Sequence, residues 1–152
     1  MIRSYRLLLC AFLAAFSAFS VHAGELAGMV KTSKGQVTVE RHGQKLVAVV
    51  GTPVEVGDKV RTSSDGAVGV TLRDNTLLSA GPNSLIVIEK FVFDNKTQDG
   101  SMSIGIRKGT LSVATGKIAK RTPESVDFHT PTSVLGVRGT EFVIEVGEGR
   151  DD

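Results

Sequence analysis

Residues 126–146, VDFHTPTSVLGVRGTEFVIEV, decide the fold. The stretch holds two apolar runs with a sharp break between them. In Thr140-Glu141-Phe142-Val143-Ile144-Glu145-Val146, the residues Phe142, Ile144 and Val146 fall on one face of a strand. Glu141 and Glu145 fall on the other with Val143 between them, because side chains alternate along extended backbone. Val126 and Phe128 alternate in the same way ahead of Thr130-Pro131. There proline removes a backbone donor and ends the pairing. Arg138 stands alone between Gly136 and Gly139, a composition suited to a corner. The sequence predicts strand, corner, short strand, corner, strand.

The rest of the chain repeats this pattern. Residues 35–40 alternate, and so do Val68, Val70 and Leu72, then Met102, Ile104 and Ile106, then Leu111 and Val113. Leu85-Ile86-Val87-Ile88 is apolar on both faces, which predicts a central strand covered on both sides. Asp74-Asn75 and Gly81-Pro82-Asn83-Ser84 have turn chemistry. No window after residue 23 carries sustained helical periodicity. Gly-Thr precedes an apolar run at Gly51, Gly109 and Gly139, at unequal spacing, so it predicts a recurring corner and not a regular repeat. The expectation is one compact all-β domain of many short strands, either sandwich-like or an irregular β-solenoid.

The motifs resemble those of the FecR-domain family. His129-Thr130-Pro131 leading into Val137-Arg138-Gly139-Thr140-Glu141-Phe142 is similar to the family's closing pattern, a T-P pair followed by V-R-G-T-x-F. Gly57-Asp58-Lys59-Val60-Arg61-Thr62, with the alternating run 67–78 behind it, resembles the family's G-D-x-[VL]-x-T and following hairpin. The likeness spans about Gly28 to Val146. It implies structural roles for Gly57, Asp58, Thr130, Pro131, Gly139, Thr140 and Phe142, and of the two architectures it implies the solenoid. Signal-relaying members of the family combine a cytoplasmic segment, a membrane helix and a periplasmic domain of this type. No second apolar span follows the first 23 residues here, so the chain resembles the stand-alone exported members.

Those 23 residues read as a secretory signal peptide. Arg3 and Arg6 precede an apolar run over 7–19, and Val21-His22-Ala23 suits cleavage before Gly24. The run is shorter than the roughly 20 residues that span a bilayer. The expected mature domain, 24–152, is therefore periplasmic and has no membrane span. The whole chain carries 18 Lys and Arg against 16 Asp and Glu. Losing Arg3 and Arg6 makes the mature charge zero, and no basic block points to nucleic acid. The only cysteine, Cys10, leaves with the leader, which removes disulfides and thiol chemistry.

Few constellations suggest chemistry. His42 and His129 lack second ligands at metal spacing, so no metal or cofactor is expected. The polar run 94–100 lacks the alternating acids of a calcium loop and predicts a hairpin loop. Glu89, Glu141 and Glu145 are the available carboxylates for glycoside hydrolysis, but strand alternation accounts for the last two. No nucleophile motif is present, and the chain is not expected to be an enzyme. Lys117-Ile118-Ala119-Lys120-Arg121 reads as a solvated loop. Arg138 remains, either as an anchor for a partner or as half of an intramolecular ion pair fixing its corner. The function expected is a protein-interaction module accessory to envelope signalling or scaffolding, with an unidentified envelope protein as partner. The alternatives are a binder of cell-wall polymer or a small ligand, and an unrecognised hydrolase.

Overall fold

The computed structural model describes residues 24–147. The expected signal peptide and the last five residues of the expected domain lie outside that range. Twelve strands form among the described residues: β1 (Leu26–Lys34), β2 (Val37–Arg41), β3 (Gln44–Val47), β4 (Pro53–Glu55), β5 (Lys59–Thr62), β6 (Ala67–Leu72), β7 (Leu77–Ala80), β8 (Leu85–Phe93), β9 (Gly100–Ala114), β10 (Val126–His129), β11 (Val134–Gly136) and β12 (Glu141–Val146). A short helix, α1 (Lys117–Arg121), and a 3-10 turn (Pro123–Ser125) connect β9 to β10. The protein is all-β, as its alternating patterns require.

The strands make one curled sheet in the order β3-β2-β5-β8-β9-β7-β6-β1-β4, with β10 and β12 added to β9 and β11 added to β10. Among these pairings only β9 with β10 is parallel. Antiparallel pairing joins these many short strands into one curled sheet.

β9 is the axis of the curl. Its first part pairs with β8 from Leu85↔Lys108 to Phe93↔Gly100 and, through 102–105, with β10. Its second part pairs with β7 and β12. One strand is thus central in both halves of the sheet. Between the halves, Val60, Ile86 and Ile88 face Val68, Val70, Leu78 and Ala80 across a void of about 10 Å³. That is close packing with almost no space left to fill.

The periodicities map onto burial with two corrections. Val68, Val70 and Leu72 are buried, as are Met102, Ile104 and Ile106. β8 is central, but only Ile86 and Ile88 of its apolar quartet are buried, and Leu85 and Val87 are half-buried. Its second face is therefore only partly covered. The expected loop at 117–121 is instead α1, with Ile118 and Ala119 buried. Five residues are too few to show a helical period. Two of the three Gly-Thr pairs sit at corners, with φ of 93° at Gly51 and 45° at Gly139, whereas Gly109, with φ of 87°, lies within β9. Residues with a Cβ rarely adopt these angles.

Candidate interaction site

The first family-like motif forms a locked corner. Gly57 takes φ of 92° and its N–H donates to the Ile88 carbonyl at 2.7 Å. This turns the chain so that Asp58 points inward, fully buried. Arg41, on β2, meets it with a two-pronged contact: Nε donates to Oδ1 at 2.8 Å and Nη2 to Oδ2 at 2.6 Å. The Glu55 N–H donates to Oδ2 at 2.8 Å, and Glu55 Oε1 lies 3.0 Å from Arg41 Nη1. The hydrogen bond with Asp58 leads in pushing the Arg41 guanidinium above its ordinary pKa. Bidentate pairing of this kind fixes direction as well as position. Asp58 was legible as a motif residue. Its partner Arg41 was not, because nothing local distinguishes it, although a buried carboxylate in a β-rich chain calls for a cation.

A second buried carboxylate organises the helix. Asp74 Oδ1 accepts from the Thr76 N–H at 3.0 Å, and Oδ2 accepts from Thr76 Oγ1 at 2.8 Å and from the Ile118 N–H at 3.3 Å. The Asp74 carbonyl accepts from the Lys117 N–H at 2.8 Å. Acceptors from the β6–β7 turn thus satisfy first-turn donors of α1, donors that a helix leaves unpaired.

Residues 126–146 fold as their pattern predicts, into β10, β11 and β12. Val126 and Phe128 are buried. Thr130 and Pro131 end β10 in a turn whose Thr130 N–H donates to the Ser133 carbonyl at 2.8 Å. Phe142 is half-buried at the rim of the core. It packs edge-on against Phe128 with ring centroids 5.1 Å apart. It falls at the rim because β12 is an edge strand, bonded to β9 alone among the described residues. Thr140 closes the last corner, its carbonyl accepting from the Thr115 N–H at 3.2 Å.

Arg138 lies in the exposed connection between β11 and β12. No acidic group pairs with it among the described residues. The intramolecular ion pair considered from sequence does not form there. Gly139, beside it, supplies the positive φ that turns the chain into β12.

A groove of about 540 Å³ opens between the β10–β11 turn and β12. Pro131 and Leu135 line one wall, Val143 and Val146 the other, with Arg107 and Glu145 also at its surface. Sequence reasoning missed it, since it arises from the splay of two strands that both pair with β9.

The remaining candidates are not brought together. Glu89 binds Arg107 at 2.6 Å, whereas Glu141 and Glu145 are exposed on β12. His129 Nε2 lies 2.8 Å from Asp127 Oδ1 but is misaligned for a hydrogen bond. His42 sits in the β2–β3 turn with φ of 50°. Among the described residues, no three His, Cys, Asp or Glu side chains are grouped to hold a metal ion. No helix among them is long and apolar enough to cross a membrane.

These features define a curled all-β domain with motif residues at its corners and a groove along one edge. A family profile described as FecR protein matches residues 58–152, so the chain belongs to the FecR family. The match begins at Asp58, the residue that locks the first corner. Among solved structures, one titled "Cell surface anchoring domain" aligns at 32% identity over 41% of this chain and 83% of its own, with a TM-score of 0.40. No curated protein matches the chain.

Proposed function

We propose that this FecR-family protein is a non-catalytic interaction module of the cell envelope, exported to the periplasm and accessory to signalling or scaffolding there. The observation that carries the reading is Arg138. It is the charged arginine of the family-like closing motif V-R-G-T-x-F, yet it is exposed and has no acidic partner among the described residues. An arginine held on a short corner and left without an internal acid is suited to the carboxylate or backbone of another protein, and arginine is enriched among residues that dominate interfaces.

The test is cross-linking capture from periplasmic extract with the native protein and with Arg138→Ala. The variant should keep the native denaturation midpoint and bind the captured protein about thirtyfold more weakly, the size of an interface hot spot. Equal capture by both removes Arg138 from the interface. Retention of peptidoglycan fragments with no protein captured replaces the reading with that of a polymer binder.

A further inference from the structure

The curled sheet leaves four strands with a single partner among the described residues: β3, β4, β11 and β12. Three of them are poor templates for another chain. β4 has three residues and begins at Pro53, β11 has three and ends at Gly136, and β3 has four and carries Lys45. Shortness, proline and lysine are how natural sheets blunt their edges. β12 has six residues, with no proline, glycine or lysine.

The direction of its backbone groups follows from one bond. The Thr115 N–H donates to the Thr140 carbonyl at 3.2 Å, and this pair continues the register Glu141↔Ala114. In an antiparallel ladder, directly bonded pairs alternate with unbonded ones. Phe142, Ile144 and Val146 therefore turn their backbone groups toward β9. Glu141, Val143 and Glu145 turn theirs away from it, toward the free edge and the groove. The side chains of these same three residues are exposed, Val143 by 64%. The edge thus presents an acidic, an apolar and an acidic side chain at alternate positions, beside outward-facing backbone groups that among the described residues make no strand pairing, the Glu141 carbonyl accepting only from Thr140 Oγ1 at 3.3 Å.

Resting on the interaction-module reading, we propose that β12 is the docking edge, and that it takes an extended segment of a partner protein with the pattern basic–x–apolar–x–basic, added antiparallel as a further strand. Backbone bonds to Glu141, Val143 and Glu145 supply attachment, and the residues opposite them supply selectivity. Charge complementarity sets the two basic positions, and Val143 sets the apolar one. A second copy of this chain fits poorly. Antiparallel self-pairing centred on Val143 places Glu141 across from Glu145 twice, and like charges directly opposite destabilise a strand pair. Arg107, which also lines the groove, is held by Glu89 at 2.6 Å and so does not reverse the sign of the edge.

The probe is a fluorescein-labelled, end-blocked peptide, Ser-Thr-Lys-Thr-Val-Thr-Lys-Thr-Ser, titrated against the full domain by anisotropy at low ionic strength. Its counterpart carries glutamate in place of both lysines. The native protein should prefer the lysine peptide by about tenfold. The double variant Glu141→Lys, Glu145→Lys should invert that preference. Val143→Pro should lose both peptides while leaving the β9 ladder intact, because the donor it removes faces outward. Failure of the lysine peptide to bind, an unchanged preference in the double variant, or native binding by folded Val143→Pro would each overturn the proposal. Periplasmic capture separates the two claims. A partner held equally by the native protein and the double variant sinks the β12 edge but keeps the interaction module, whereas a native protein that captures no partner sinks the module itself.

Discussion

The two family-like motifs each build a corner from glycine and a charged residue, and the two corners have opposite fates. At the first, Gly57 turns Asp58 into the protein, where Arg41 grips both carboxylate oxygens. At the second, Gly139 turns the chain beside Arg138, which stays exposed and has no internal acid among the described residues. The first corner is architecture, because a buried charge must be answered by another group of the same chain. The second makes no such demand on the chain, so its charge remains available. A motif residue is therefore not functional or structural by virtue of belonging to a motif; burial decides.

Substitutions can break or sharpen this contrast. Asp58→Ala leaves the Glu55 N–H without its acceptor and leaves Arg41 only Glu55 and the Pro53 carbonyl. Removing one partner of a buried pair costs roughly 3–5 kcal/mol, and the value expected here is near the lower end because the Arg41 side chain retains 20% exposure. Urea denaturation should show that loss, and a midpoint within error of native would mean that the first corner is as free as the second. Phe142→Ala tests the rim between the corners. A fully buried phenylalanine such as Phe128 costs about 3–5 kcal/mol on truncation, and half-buried Phe142 should cost about 2 kcal/mol. Equal losses at Phe142 and Phe128 would place β12 in the core instead of at its edge. Arg138→Ala should change stability by less than about 0.5 kcal/mol, as exposed substitutions usually do. A loss comparable to that of Asp58→Ala would show that Arg138 holds its corner by a contact within the chain and would abolish the contrast.

How much of this was legible depends on whether the information is local. Strand alternation is local, and it located the faces of β6, β10 and β12; in β9 it located the apolar face, but Ser103 and Gly105 on the other face are buried too. The glycines at the Gly51 and Gly139 corners are local signals too, since glycine takes a positive φ at no steric cost. Pairing is not local. Nothing in residues 100–114 announces that their first half serves one part of the sheet and their second half another. For the same reason the curl of the sheet and its strand order were not legible. α1 escaped notice because donors at its start are satisfied by Asp74, more than 40 residues earlier, so its sequence needed no capping signal of its own. The groove and the unclaimed edge of β12 depend on where neighbouring strands stop. Arg138 and Phe142 stood out in the sequence, but their surroundings required the fold.

The double membership of β9 also constrains how the protein acquires its structure. The β2–β3 and β8–β9 hairpins close short loops and can form early, since little chain entropy is lost in joining neighbouring segments. Pairing of Gly28 with Leu72 and of Val113 with Phe142 joins segments distant along the chain, and such contacts form slowly. Until β12 is laid down, the second half of β9 exposes its own edge, and with it a ladder that β12 otherwise satisfies. The strand that offers an edge to others in the finished protein thus serves, during folding, as the cap on the sheet's central strand.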